Sequence, residues 1–485
     1  MLIELVYASA RARPDQTAIV HGARRTSYAE LVERVERLAH GLAGRGIRTG
    51  DPVALLMANT PAFVECFFAI AGLGAVVVPL NPQFKRDELE FCFRSCRVRA
   101  AIADAQSTAV CERIAADWDY PIQVLTTAPD RFDAVSPEAL IESNGPLRLQ
   151  SLAPAEDVMQ QFSSGSTGRP KRLSRTHGQL CAEARAYTWI RPDDRIFCAV
   201  PLFHTYGLGC CMLAAVRNAA TLVFMEDPNP FVLTRNRALE LLERERATVF
   251  PGVPFHFRLL AEADRDADLS SLRLCFSAGT ALERPAFDAF RARFGIAVRQ
   301  LYGCTEGGTL TANLDPDPVA TFASVGAPLG DVRVTVMEEE IIVSSPALTA
   351  GYAEMEGLNR QAFRDGWFFT GDLGHLDGNG RLYITGRRKR LIPVAGHKVD
   401  PIEVEDVVVS HPHVRDAVVV GVHSSMAGDE EAVKAVVVAI DGLTERDLIR
   451  YCQERLAAYK VPQIVERREE IPKSPLGKVL RKYLL

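Results

Sequence analysis

Short apolar runs alternate with amphipathic helical patterns along the first three-quarters of the chain, and this alternation restricts the fold more than any other feature. Between Tyr28 and Gly46, Leu31, Val35, Leu38 and Leu42 recur at helical spacing. Val53–Met57 follows as a short apolar strand, FVECFFAIAGLG reads as a buried helix and AVVVPL as a buried strand. The rhythm returns at Arg195–Val200, Thr221–Phe224, Thr248–Phe250 and Leu272–Ser277, with helices over Arg237–Arg246 and Arg284–Phe294. Such βαβ order builds a parallel sheet with helices on its faces.

Near residue 386 the texture changes. GRRKRLIPVAGHK is basic and Gly-containing, and it separates two well-patterned regions. Beyond it come a helix (Pro401–Val409), two strands (Ala417–Val422 and Ala432–Ile440), a helix (Glu445–Leu456) and a polar tail. The expected fold is therefore α/β. A large N-terminal domain (1–388) of layered βαβ sheets is joined through a hinge at Arg387–Lys389 to a small α/β C-terminal domain (389–485).

With 485 residues the chain exceeds what one core can fill. A net charge of −5 gives no basic surface for nucleic acid. The longest apolar run, Phe67–Leu80, falls short of the ~20 residues of a membrane span. MLIELVYASARARPDQ lacks the basic start and apolar run of a secretory signal. The eleven cysteines include no CxxC pair, and neither Cys92/Cys96 nor Cys210/Cys211 has zinc-site spacing. They read as buried free thiols, so a cytoplasmic protein is expected.

The stretch FSSGSTGRPKRLSRTHG, from Phe162 to Gly178, carries the strongest chemical signal. It is not a G-x-x-x-x-G-K-[ST] loop, because Gly165 and Gly168 are three apart and Lys171 lies three beyond. Val158–Phe162 precedes it as a strand, KRLSR has no helix signature, and Thr176 is an N-cap for a helix that begins at His177. The loop thus joins two strands. Backbone N–H groups freed by Gly165 and Gly168 can form an anion nest, with hydroxyls from Ser163, Ser164, Ser166 and Thr167 and charge from Lys171. Taken alone, the same residues also suit a plain Gly/Ser surface turn.

SSGSTGRPK resembles the signature phosphate loop of the adenylate-forming superfamily, which includes acyl-CoA synthetases, peptide-synthetase adenylation domains and firefly-type luciferases. Further segments follow in that family's order: PLFHTYGL (Pro201–Leu208), SAGTAL (Ser277–Leu282), YGCTE (Tyr302–Glu306), TGD (Thr370–Asp372), GRRK (Gly386–Lys389), Gly396 with Glu403, and PKSPLGK (Pro472–Lys478). The resemblance covers nearly the whole chain. It implies an acyl-CoA synthetase-like fold with a mobile C-terminal domain, and an enzyme that joins a carboxylic acid to AMP before passing it to a thiol.

The residue roles follow from that resemblance. Ser163, Ser164, Gly165, Ser166, Thr167, Gly168 and Lys171 hold the departing pyrophosphate, and Gly279 lies near the nucleotide. Glu306 and Thr167 are the expected Mg²⁺ ligands. Thr305 donates to the α-phosphate, Tyr302 offers an aromatic face to adenine with Gly303 beside it, Asp372 accepts the ribose hydroxyls, and Arg387 meets ribose or phosphate. Lys478 is the catalytic cation, bridging two anions that otherwise repel. His204 lines the acid pocket, and His177 is a helix-start residue rather than a catalyst.

Phe203, His204, Tyr206, Gly207, Phe250, Val253, Ala278 and Cys304 make an apolar, partly aromatic pocket, with Gly207, Gly279 and Gly303 leaving space. Members that activate amino acids carry an Asp where this chain has Phe203–His204. A fatty or aryl acid is therefore expected rather than an α-amino acid. No insertion separates TGD from GRRK, which favours a thiol acceptor: CoA, or the pantetheine of an acyl carrier protein. Rotation about Lys389 would exchange the Lys478 loop for the Gly396 loop. A luciferase-like oxidase and a silent nucleotide-binding protein are the remaining alternatives. The sequence leaves open monomer or homodimer. Between Val325 and Tyr352 the chain is shorter than the family pattern, which predicts a trimmed hairpin.

Overall fold

The computed structural model describes residues 2–127, 136–149, 152–163, 170–226, 229, 231–387, 391–423, 431–440, 442–472, 479 and 483–484. The chain forms two compact units. The first comprises Met1–Pro82, Cys96–Gln161 and Arg172–Gly386; the second comprises Gln83–Ser95, Phe162–Lys171 and Arg387–Leu485. Nothing in the sequence groups Gln83–Ser95, or Phe162–Lys171 of the phosphate-loop motif, with the C-terminal residues.

In the first unit the helix Tyr28–Gly44 starts where Ser27 accepts a hydrogen bond from the Glu30 N–H. It buries Leu31, Val35, Leu38 and Leu42, the predicted stripe. Its neighbour, Pro61–Gly72, is buried almost throughout, as its composition requires. The carboxylate in that helix, Glu65, is held by Arg34 at 2.6 Å, which supplies the partner a buried charge needs.

A six-stranded sheet runs in the order Gln123–Thr126, Ala100–Ala103, Pro52–Leu56, Val76–Pro79, Asp157–Ser163, Lys171–Thr176. Its first four strands pair in parallel. The fourth also pairs in parallel with Asp157–Ser163, at Val77 and Met159. A nine-stranded sheet has a parallel centre formed by Val298–Cys304, Leu274–Ser277, Val249–Gly252, Arg195–Phe197, Thr221–Phe224 and Thr17–His21. Both of its edges are antiparallel, made by Arg24–Ser27 on one side and by Gly308–Ala312 with Ala327–Pro328 on the other. The sequence pattern indicated the parallel centre but not these edges.

Alternation along each strand divides the core. Val249 packs with one apolar cluster and Phe250 with the other, on opposite faces of the sheet. A third sheet is antiparallel and contains Arg333–Met337, Glu340–Ser344, Trp367–Leu376, Phe363–Arg364 and Leu382–Arg387. Its first two strands form the hairpin of the Val325–Tyr352 segment. Met337 pairs with Glu340, so Glu338 and Glu339 form a two-residue turn, at φ 49° and 65°. Such a turn favours Asn-Gly, and two glutamates in it carry backbone strain.

The second unit holds the sheet Val414–His423, Glu431–Ala439, Ile464–Arg467 and the hairpin Ile392–Val394/His397–Val399. Its helices Pro401–Val409 and Glu445–Arg455 bury Val404, Val408, Leu448 and Cys452. No described helix is long and apolar enough to cross a membrane.

Candidate active site

The parallel centre of the nine-stranded sheet organises the site. At the carboxyl ends of its strands the chain continues into Pro201–Leu208, Val253, Ala278–Gly279 and Thr305–Glu306. Ligands of open α/β sheets bind at this edge, where loops are free to vary and strand ends converge. Three motifs that lie far apart in sequence thus share one edge.

Local chemistry sets each loop. Thr176 caps the helix His177–Ala186 in a full capping box with Gln179. Asp157–Ser163 and Lys171–Thr176 are neighbouring strands, so the phosphate-loop candidate does join strand to strand. Ser163 and Lys171, at its two ends, are buried. Ser164, Gly165, Ser166, Thr167 and Gly168 lie outside the described residues, as do Lys389 and Lys478.

His204 is exposed and caps the short helix Thr205–Gly207, its Nδ1 accepting from the Tyr206 N–H at 3.2 Å. The proton of the neutral ring therefore sits on Nε2, which makes His204 a hydrogen-bond donor. The Thr205 hydroxyl donates to Gln161 Oε1 at 3.1 Å, and Gln161 Nε2 donates to the Phe203 carbonyl at 3.4 Å. Gln161, one residue ahead of the predicted loop, thus pins PLFHTYGL from below. Nothing local in the sequence marks it.

The YGCTE segment is held more firmly. Tyr302 is buried, and its hydroxyl donates to Asp372 Oδ2 at 2.6 Å. Burial and the adjacent carboxylate keep that phenol protonated, well above its ordinary pKa. The Asp372 N–H donates to Thr370 Oγ1 at 3.0 Å, which fixes TGD within the strand Trp367–Leu376. Glu306 is buried, and its Oε1 accepts from the Tyr352 hydroxyl at 2.8 Å. Arg387 ends the strand Leu382–Arg387, and Gly396 stands at φ 80° in the turn between Ile392–Val394 and His397–Val399.

Several pocket assignments change. Phe250 is fully buried among Phe197, Phe257 and His256 on the helix-packed face of its strand, so it belongs to the core. The Tyr206 hydroxyl faces the carbonyls of Gly252 and Phe276, both at 3.1 Å, and ties two strand ends together. Gly207 and Gly303 do not open space. A Cβ on Gly207 would lie 2.2 Å from the Pro201 carbonyl oxygen, and one on Gly303 2.4 Å from that of Gly308. Both glycines let two backbones approach. At Gly279 (φ 91°) the nearest atom to a Cβ among the described residues would be Val253 Cγ1, at 3.7 Å, an ordinary contact distance. Val253, Ala278, Phe203 and the half-buried Cys304 remain on the site's edge.

Beneath YGCTE lies a buried network that the sequence did not reveal. Arg175 Nη2 meets Glu183 Oε2 at 3.0 Å, both side chains fully buried, and the Tyr187 hydroxyl donates to Glu183 Oε1 at 2.9 Å. Glu183 fills the place where a Cβ on Gly308 or Gly209 would sit. It therefore shapes both the YGCTE hairpin and the helix after PLFHTYGL.

A family model described as AMP-binding enzyme matches residues 6–353, and one described as AMP-binding enzyme C-terminal domain matches residues 403–478. The chain belongs to the AMP-binding enzyme family. It is 33% identical to a feruloyl-CoA synthase of an Amycolatopsis species, over 97% of this chain and 96% of that protein. It is 31% identical to a 2-succinylbenzoate–CoA ligase of Bacillus cereus, over 97% and 95%. The o-succinylbenzoate CoA synthetase of Bacillus subtilis, solved with a product analogue, superposes with a TM-score of 0.86 at 26% identity, covering 99% of this chain and 97% of that one. An amide bond synthetase of Marinactinospora thermotolerans gives 0.88 at 28%, covering 100% and 98%.

Membership fixes the reaction class. The protein is an AMP-forming acid–thiol ligase: ATP and a carboxylic acid give acyl-AMP and pyrophosphate, and CoA then takes the acyl group as a thioester. No cluster of three or more His, Cys, Asp or Glu suited to a metal occurs among the described residues. A metal in this site would be held by the nucleotide's phosphates with one or two side chains, the usual manner of Mg²⁺.

Proposed function

We propose that this ligase activates an aryl or fatty acid without an α-amine and delivers it to CoA. The observation that carries this reading is the strand-end segment Phe203–His204–Thr205. It presents an aromatic ring and an imidazole, where a carboxylate would be needed to pair with a substrate ammonium. The edge beside Gly279 and Val253 receives the apolar body of the acid.

In the first step both reactants are anions, so the site must offset charge and hold an in-line approach. His204 Nε2–H orients the acid. Thr305 donates to the α-phosphate. Asp372, to which Tyr302 donates, accepts the ribose hydroxyls, while Tyr302 and Gly303 border the adenine, and Arg387 meets ribose or phosphate. Glu306, whose Oε1 accepts from Tyr352, and Thr167 would hold Mg²⁺, which would offset charge on the phosphate oxygens. Ser163 to Gly168 and Lys171 retain the pyrophosphate. Lys478 bridges the carboxylate and the α-phosphate. A domain boundary at residue 389, with Lys389 as hinge, lets the Gly396 turn replace the Lys478 loop for the thiol step.

Pyrophosphate release tests this reading, with ATP, Mg²⁺ and a panel of ferulate, benzoate, C8–C16 fatty acids and amino acids, with and without CoA. Release with an aryl or fatty acid and none with amino acids is expected; the reverse order overturns the acid class. Lys478→Ala should lower acyl-AMP formation by ~10³-fold or more, on the scale of a lost transition-state charge contact. It should spare thioester formation from supplied acyl-AMP. Equal loss of both steps would refute the assigned role.

A further inference from the structure

The second unit contains a charge cluster that the adenylation step does not use. Lys460 ends the turn Ala458–Lys460 and is buried. Its Nζ donates to Glu88 Oε1 and to Glu403 Oε1, each at 2.7 Å, and lies 4.8 Å from the centre of the Phe84 ring. Glu403 stands in the first turn of the helix Pro401–Val409, a few residues after Gly396. Tyr459 stacks on His397 at 4.0 Å. Residues 459 and 460 therefore grip both ends of the segment from His397 to Glu403, which follows the Gly396 turn.

The two carboxylates around the ammonium are not equivalent. Lys460 with Glu403 makes a neutral pair, and Glu88 adds a surplus negative charge. Burial raises the pKa of the Glu88 carboxyl, against the pull of Lys460, with Glu403 pushing the same way as burial. A buried ion pair adds little net stability, because desolvation offsets attraction, whereas a buried charge left without a partner is costly. Glu88 stands on the separate stretch Gln83–Ser95, whereas Lys460 and Glu403 share Arg387–Leu485, so Glu88 is the releasable member. On its departure a neutral Lys460–Glu403 pair stays behind. Glu88 keeps the bond its Oε2 accepts from the Lys85 N–H at 2.9 Å, at the start of its own helix, Arg86–Cys96.

We propose that Lys460 is a positioning residue for the thioester step, a latch that fastens Gln83–Ser95 through Glu88 to the helix behind the Gly396 turn. The latch closes while the thiol attacks and opens for adenylation. This inference rests on the two-conformation reading given above. It separates a contact needed in one half-reaction from the groups that perform the chemistry.

Two half-reactions and one acid-independent measurement test it. With ferulate and dodecanoate as probes, Glu88→Gln should leave ATP–pyrophosphate exchange within twofold of the parent. It should slow CoA consumption of the supplied acyl-AMP tenfold or more. Lys460→Gln should split the steps in the same way, Lys460→Arg should recover most of the loss, and the double variant should be no worse than either single one. Equal slowing of both steps, or losses that multiply in the double variant, would overturn the latch. In the ligand-free protein, amide hydrogen exchange over residues 86–95 should quicken in both single variants, and unchanged rates overturn the contact whatever the acid. A parent enzyme inactive with every acid would count against the ligase reading alone, and the exchange measurement would still decide the latch.

Discussion

Two hairpins of the first unit are built on opposite terms. The one that carries YGCTE, Val298–Cys304 with Gly308–Ala312, is enclosed: its second strand is buried along its whole length. Glu183 fills the space behind Gly308, Asp372 holds Tyr302, and Tyr352 holds Glu306. The other hairpin, Arg333–Met337 with Glu340–Ser344, has alternating exposure on its first strand, an exposed Met337 and two glutamates at positive φ in its turn. Neighbours dictate the shape of the first hairpin. The second shares a fully buried second strand, Glu340–Ser344, but its first strand and its turn lie towards solvent, and there the turn sets the shape. The residues proposed for the chemistry occupy the more enclosed hairpin, as preorganisation would require.

The sharpest way to break this contrast is Gly308→Val. Its Cβ would come within 2.3 Å of the Glu183 carboxylate, at φ 70°. Overpacking and backbone strain together should cost about 3–5 kcal/mol and most of the soluble yield. Denaturant unfolding within 1 kcal/mol of the parent would show that the hairpin is not enclosed as described. Tyr352→Phe comes next. Loss of a hydrogen bond to a buried carboxylate should cost about 1.5–3 kcal/mol. With Glu306 misoriented, pyrophosphate exchange should fall roughly tenfold, the factor that ~1.4 kcal/mol represents. Full exchange activity in that variant would free Glu306 from its assigned role.

The smallest effect should come from the other hairpin and carry the opposite sign. Glu338→Asn with Glu339→Gly gives the turn the residues its backbone already demands, and should stabilise the protein by ~1 kcal/mol. In a chain of this size the midpoint should rise only ~1–2 °C. Exchange activity should stay within twofold. A destabilised double variant would mean that the glutamates make contacts that outweigh their strain.

Features with local causes were legible in the sequence. The Thr176 cap, the strand–loop–strand setting of SSGSTGRPK and the stripe on Tyr28–Gly44 each depend on residues a few positions apart. What could not be read depends on contact across the chain. Glu183 shapes Gly308 from 125 positions away, and Lys460 finds Glu88 across 372. The missing side chains of Gly207 and Gly303 suggest open space, yet each admits a backbone instead. Phe250 was assigned to the pocket from its motif neighbourhood, while strand alternation turned it to the other face. Motifs gave the reaction class because chemistry limits which residue types can serve. They did not give the pocket's walls, which are set by packing.

Cys304, the variable position of YGCTE, has a practical consequence. Of eleven free cysteines, ten are buried and Cys304 alone is partly open. Burial and the nearby Glu306 hold its thiol well above the ordinary pKa, so it reacts slowly at neutral pH. The protein thus carries a built-in reporter group beside the site proposed above. A small alkylating reagent should add one mass increment to the intact enzyme before any other thiol is touched, and bound acyl-AMP should delay it. Occupancy can then be followed by mass alone, with no label introduced.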